Sequence, residues 1–111
     1  MSSQNVKSLT SDLQKLRNPT KASDLQRFFQ TGPGGYGEGD RFLGIAVPTV
    51  RSAARKYPTL ELSEIEELLK SEFHEIRFCG LVILTEQYKK TRELPLKKKI
   101  FEFYVNQIKV G

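Results

Sequence analysis

The sequence contains no tryptophan, one histidine and one cysteine, and these shortages limit its chemistry. The lone cysteine, Cys79, excludes an internal disulfide and fits a reducing compartment. The lone histidine, His74, is the single position at which histidine-dependent catalysis could be centred. A metal site would need more ligands than this histidine and its neighbouring carboxylates supply, so we expect neither a metal nor a cofactor.

Long hydrophobic runs are also missing. No apolar stretch approaches the ~20 residues needed to span a bilayer. The N-terminal segment MSSQNVKSLTSDLQKL is polar and lacks the apolar core of a signal peptide. We therefore expect a soluble, cytoplasmic chain. Its 111 residues, 38% of them hydrophobic, are enough for one domain, or part of one, with a modest core.

The charge balance is basic, with a formal net charge of +5 and a sequence pI near 9.4. Such a balance favours an acidic partner, and nucleic acid is the natural candidate. Many small domains reach this charge without binding anything, so the positions of the cations matter more than their number.

Six of the eight glycines lie in one stretch, Thr31 to Pro48, with the sequence TGPGGYGEGDRFLGIAVP. Glycines can turn successive N–H groups toward an anion, which would make this loop a phosphate cradle. It lacks the order of a P-loop, no strand precedes it, and Glu38 and Asp40 place negative charge where a phosphate would sit. The alternative is an ordered loop that Tyr36 and Phe42 anchor. Glu38 and Asp40 could also be paired acid–base carboxylates, although two residues in a loop leave their geometry undefined.

Apolar residues on either side of this loop recur at steps of three and four, which predicts six helices. Ser2 or Ser3 is predicted to cap the first helix, Asn18 with Pro19 to open the second, and Pro48 to start the third. Ser63-x-x-Glu66 predicts a capping box for the fourth helix. The apolar positions of the second and fifth helices are Ala22, Leu25, Phe28 and Phe29, and Phe78, Leu81, Val82, Thr85 and Tyr88.

No segment alternates apolar and polar residues with period two, so the predicted fold class is all-α. Helical pairs in succession favour an α-α superhelix of HEAT-like or armadillo-type repeats, with a small closed bundle as the alternative. Within a single repeat domain, we expect lead-in helices in residues 1–30, the glycine-rich loop in 31–47 and helical pairs in 48–111.

Basic residues on two of the predicted helices are candidate contacts to DNA. Arg51 and Arg55 lie one turn apart on the third helix. Lys97, Lys98 and Lys99 crowd the start of the sixth helix, where positive charge opposes the helix dipole. Positive charge at a position that the helix dipole disfavours indicates that these side chains bind an external anion. The alternative is that they form an ordinary solvated surface.

The order of these features resembles the DNA alkylation repair family typified by the AlkD-like glycosylases. The matching residues lie in the loop and in the helices on either side of it: Phe28-Phe29-x-Thr31-Gly32, Gly35-Tyr36-Gly37-Glu38-Gly39-Asp40, Phe42-Leu43-Gly44-Ile45, Pro48 with Arg51, His74-Glu75-x-Arg77, Ile83-Leu84 and Tyr88. The resemblance spans essentially the whole chain, and the loop string is its most specific part.

The resemblance implies a superhelix of HEAT-like repeats whose concave, basic face holds double-stranded DNA. It also implies hydrolysis of the N-glycosidic bond of cationic alkylated purines such as 3-methyladenine and 7-methylguanine. The segment from Phe42 to Pro48 approaches the DNA in the family, with polar residues after the isoleucine in some members. This chain has Ala46 and Val47 there.

The family's catalytic Trp–Asp segment has no counterpart in this sequence, so no catalytic residue is assigned. We expect the chain to be the N-terminal part of such a glycosylase, inactive by itself and able to associate with itself through an exposed C-terminal repeat face. The alternative function is a helical-repeat scaffold that binds protein and has no catalytic activity.

Overall fold

The computed structural model describes residues 5–29, 32, 34–35 and 39–110. Its helices are α1 (Val6–Lys15), α2 (Pro19–Phe28), α3 (Val47–Ala54), α4 (Leu62–Leu69), α5 (His74–Lys90) and α6 (Leu94–Val110). The described ranges contain no strand, and one isolated bridge joins Arg41 to Phe73. The all-α prediction with six helices is confirmed, and the arrangement is consistent with a helical-repeat fold.

The predicted starts of the second and fourth helices have different outcomes. Asn18 caps α2 through its side chain, which accepts a hydrogen bond from the N–H of Lys21 at 3.1 Å, as predicted. The capping box of α4 is wrong, because the helix begins at Leu62 and its N-cap is Glu61, without a side-chain cap bond. The earlier start lets Leu62 pack against the core beside Ile65.

The first and third helices also begin close to their predicted positions. Asn5 caps α1 through its side chain, whereas the predicted caps Ser2 and Ser3 lie outside the described residues. Helix α3 begins at Val47, one residue before the predicted Pro48, which therefore occupies the first turn, where proline is tolerated.

Helix α5 is the central element, since α3, α4 and α6 all pack against it. Its close approach to α4 depends on Gly80, where a Cβ atom would lie 2.9 Å from the Cβ of Leu68. The buried residues of α5 occupy most of its circumference: Glu75, Ile76, Cys79, Gly80, Val82, Ile83 and Leu84. Leu81, Thr85 and Tyr88 from the predicted apolar stripe are exposed instead.

Helix α1 closes the other side of the core. Leu9 and Leu13 are fully buried in one cluster with residues of α3, α4, α5 and α6. The hydroxyl of Tyr57, just after α3, donates a 2.7 Å hydrogen bond to the carboxylate of Asp12 on α1. Burial and this carboxylate raise the pKa of Tyr57 to about 12, so the phenol remains a donor at neutral pH.

Candidate functional site

The segment Phe42 to Ile45, which carries part of the family string, is held by one buried carboxylate. Glu75 in the first turn of α5 is only 3% exposed. Its Oε1 atom accepts from the N–H of Leu43 at 2.8 Å, and its Oε2 atom accepts from the N–H groups of Gly44 at 2.9 Å and Ile45 at 3.3 Å. The side chain therefore satisfies three backbone donors of a segment that has no strand partner there.

Gly44 brings the same segment against the start of α2. It has a φ of +84°, and a Cβ atom built on it would lie 2.2 Å from the carbonyl oxygen of Asn18 and 2.7 Å from the nitrogen of Ala22. The N–H of Asn18 donates a 2.8 Å hydrogen bond to the carbonyl of Leu43. Only glycine fits this position, because both the backbone angle and the space exclude a side chain.

Asp40 and Arg77 connect the end of the glycine-rich loop to α5. The Nη2 atom of Arg77 donates to Oδ1 of Asp40 at 2.6 Å, and Nδ1 of His74 lies 3.5 Å from Oδ2. Burial raises the pKa of the Asp40 carboxyl, but the hydrogen bond and charge of Arg77, the N–H of Arg41 and His74 outweigh burial and leave the pKa below its ordinary value. Asp40 is therefore an ion-pair partner, which does not favour the acid–base alternative.

Aromatic contacts extend this anchored unit toward α2. Phe42 is buried, as predicted for an anchor, and its ring stacks on Phe29 with centroids 5.4 Å apart. The centroid of the His74 ring lies 4.9 Å from that of Phe42. Phe28 from the predicted apolar face of α2 is 71% exposed. Only Ala22 of α2 is fully buried, because this helix packs mainly on the extended segment.

The part of the loop string from Asp40 to Ile45 and the His74-Glu75-x-Arg77 motif therefore form one structural unit. Asp40 pairs with Arg77, the N–H groups of residues 43–45 bind Glu75, and the N–H of His74 donates to the carbonyl of Arg41 at 2.7 Å. Gly35 and Gly39 are described, but Thr31, Tyr36, Gly37 and Glu38 lie outside the described residues. The predicted anchoring by Tyr36 therefore remains a prediction.

The five candidate DNA-binding cations do not lie together. Two of them stand over aromatic rings of α5: the guanidinium carbon of Arg51 is 5.5 Å from the centroid of Phe78, and Nζ of Lys97 is 4.6 Å from that of Tyr88. Arg55 lines a cleft between α3 and α5. Lys99 lines another cleft, beside the turn that precedes α4. Lys98 is exposed.

An apolar groove lies between α5 and α6, with a volume of about 230 Å³. Two of its aromatic residues are largely exposed, Phe101 at 54% and Tyr104 at 41%. The α5–α6 groove is lined by Leu84, Thr85, Tyr88, Ile100, Phe101 and Tyr104. It is an uncovered apolar surface of the kind that mediates association between repeats or between proteins.

Cys79 is a component of the core. Its side chain is fully buried, and burial raises the pKa of the thiol to about 12. A thiol held protonated and shielded from solvent is a poor nucleophile. Among the described residues, no group of three or more His, Cys, Asp or Glu side chains is arranged to hold a metal ion. Within the same ranges, no helix is both long enough and apolar enough to cross a membrane.

From the sequence, Glu75 was identified only as part of the family motif, and the buried role of this residue was missed. One signal was available. Glu75, Cys79 and Ile83 are spaced by four residues and therefore share the buried face of α5. A carboxylate on a buried face requires donors, and the glycine-rich segment is the natural source of free N–H groups.

Comparison with known protein families identifies one match. Residues 9–110 match the family model described as DNA alkylation repair enzyme, which covers nearly the whole chain. No match to a curated protein or to a solved structure was found. The match supports the family named by the sequence resemblance and, with it, a role in alkylation repair.

Proposed function

Because the chain belongs to the DNA alkylation repair enzyme family, we propose that it binds DNA in the manner of an AlkD-like glycosylase. Such a glycosylase excises cationic alkylated purines, such as 3-methyladenine and 7-methylguanine, from double-stranded DNA in base-excision repair. The match over residues 9–110 is the observation that carries this proposal. The basic charge and the five candidate cations support binding to phosphates.

The chemistry that this proposal requires is modest. An alkylated purine is already a cationic leaving group, so the enzyme chiefly stabilises the sugar cation that develops and orients a water molecule. A carboxylate can do both. Two carboxylates, those of Glu75 and Asp40, already have partners in the folded chain. Glu75 accepts hydrogen bonds from three backbone N–H groups, and Asp40 pairs with Arg77. We therefore assign neither of them to catalysis, and the proposed role of this chain is to bind DNA.

An excision assay tests this division of roles. With duplex DNA containing 7-methylguanine, we expect the 111-residue chain to release no more base than the spontaneous loss measured without protein. The reason is that the sequence has no tryptophan to hold the cationic base and neither positioned carboxylate is free. Release well above the spontaneous rate would contradict the proposal that this chain binds DNA without excising the base.

Binding to lesion-free duplex DNA separates the repair function from the alternative of a protein-binding scaffold. If the cations contact phosphates, the affinity falls steeply with salt. For two contacts, it drops about tenfold between ~50 and ~200 mM salt. Fluorescence anisotropy with a labelled duplex measures this dependence. A chain that does not bind even at the lowest salt would favour the scaffold.

Self-association through the α5–α6 groove is a further part of the proposal, since burying Phe101 and Tyr104 removes apolar surface from water. In the absence of DNA, we expect sedimentation to show dimers or larger species at high protein concentration, and the variant Phe101→Ser to shift the population toward monomer. Leu94→Ser is the matched control, because Leu94 is 78% exposed on the same helix but does not line the groove. Equal shifts in both variants would contradict the assignment.

The location is also part of the proposal. A buried, unpaired cysteine fits a reducing compartment, and we place the protein in the cytoplasm.

A further inference from the structure

A stripe of mostly apolar residues on α5 is partly exposed to solvent, although its spacing is typical of the buried face of an amphipathic helix. The α5 stripe consists of Phe78, Leu81, Thr85 and Tyr88, at steps of three, four and three residues that keep them on one face. Phe78 is half-buried, and Leu81 and Tyr88 are each 38% exposed. The stripe itself carries no charged residue. Asp40 already neutralises Arg77, which lies one turn before Leu81.

One cation stands at each end of the α5 stripe. Arg51 from α3 lies over Phe78, and Lys97 from α6 lies over Tyr88. The two rings are ten residues apart on α5, which corresponds to ~15 Å along the helix axis. A cation attracted to a ring face loses part of its side-chain freedom in the free protein, so less freedom remains to be lost when it contacts an anion.

Arg55 and Lys99 lie on the other side of α5. The cleft that Arg55 lines also contains Glu86, which is five residues after Leu81 and therefore about 140° around the helix from that residue. Lys99 is about 200° around α6 from Lys97, and its cleft contains Glu61. Both clefts also contain Lys90, so what separates Arg55 and Lys99 from Arg51 and Lys97 is the face of α5 on which they lie.

We propose that Arg51 and Lys97 bind two phosphates of the DNA backbone across the α5 stripe, and that Arg55 and Lys99 do not contact DNA. The inference rests on the proposed function, and it selects from the five candidates the two that share a face. Contacts of this kind are independent of base sequence and fix the position of the duplex on the protein.

Two double variants with the same charge change test the assignment. Arg51→Gln/Lys97→Gln and Arg55→Gln/Lys99→Gln each remove two positive charges, and all four side chains are exposed or half-buried. With a short lesion-free duplex, we measure the slope of log K against log salt concentration. We expect the slope of the first variant to become shallower by ~1.8, about 0.9 for each lost phosphate contact. The second variant should keep the slope of the unmodified chain.

The outcomes distinguish this inference from the proposed function. Equal losses in the two variants, or a loss confined to Arg55→Gln/Lys99→Gln, would overturn the inference while leaving DNA binding intact. If the unmodified chain does not bind the duplex, the proposed function fails and the inference fails with it. The exchange Arg51→Lys/Lys97→Arg keeps both charges and should keep the slope. An unchanged slope here shows that a loss in the glutamine variant comes from the missing charges and not from altered side-chain shape, whereas loss of the slope in this exchange variant would overturn the assignment.

Discussion

Replacing Glu75 by glutamine is expected to lower the free energy of unfolding by ~2–3 kcal/mol. The amide keeps one acceptor oxygen, but its NH₂ group replaces the other acceptor and faces a backbone donor, so at least one of the N–H groups of residues 43–45 loses its partner. Glu75→Ala leaves all three donors without a side-chain acceptor and should cost ~3–5 kcal/mol. Urea denaturation followed by circular dichroism measures both variants.

Glu72→Gln is the matched control for Glu75→Gln. Glu72 is a neighbouring glutamate whose side chain is 61% exposed and whose ion pair with Arg41 spans 3.5 Å. An exposed pair of this kind contributes little, so we expect a change below ~0.5 kcal/mol. Equal effects of the two glutamine variants would show that Glu75 does not hold the 43–45 segment.

Gly44→Ala is expected to destabilise the protein by at least ~3 kcal/mol, and it could prevent folding altogether. The positive φ of Gly44 alone costs an alanine roughly 1–2 kcal/mol. The added Cβ atom would also lie 2.2 Å from the carbonyl oxygen of Asn18, so the backbone of either the segment or α2 must move. That movement strains the hydrogen bond between Asn18 and Leu43 and the three bonds to Glu75.

Gly39→Ala separates the two costs. Gly39 has the same φ of +84°, but a Cβ atom there meets nothing within 4 Å. We expect roughly 1–2 kcal/mol from the backbone angle alone. The difference between the two variants in urea denaturation therefore measures the close approach to α2. If they are equally destabilised, the segment does not pack on α2 as described.

The contacts behind these two predictions explain why this segment of the loop has a sequence that is specific to the family. The contact with α2 requires a glycine at position 44. Glu75 binds the N–H groups of residues 43–45, and Arg77 pairs with Asp40. The glycine-rich loop therefore sets the first two helices against the later ones through a few contacts distant in sequence. It is a structural unit that positions α5, and the DNA-binding cations that we propose stand over rings of that helix.

Local patterns in the sequence were sufficient to predict the number of helices and some of their ends. Periodicity and turn residues predicted six helices, the cap at Asn18 and the anchor Phe42, because these depend on neighbouring residues or on strong apolar character. The capping box at Ser63 failed, because tertiary packing of Leu62 outweighed a local preference of about 1 kcal/mol. The resemblance carried by the loop string was confirmed by the family match.

The tertiary structure alone decided which faces are buried and which charges meet. Helix α5 is apolar around most of its circumference, so periodicity could not show that Leu81 and Tyr88 face solvent while Glu75 lies in the core. The three N–H groups on Glu75 come from residues about 30 positions earlier, and Arg51 and Lys97 meet rings of a helix that is not their own. Contacts of this kind depend on how the helices pack, which no local pattern of residues encodes.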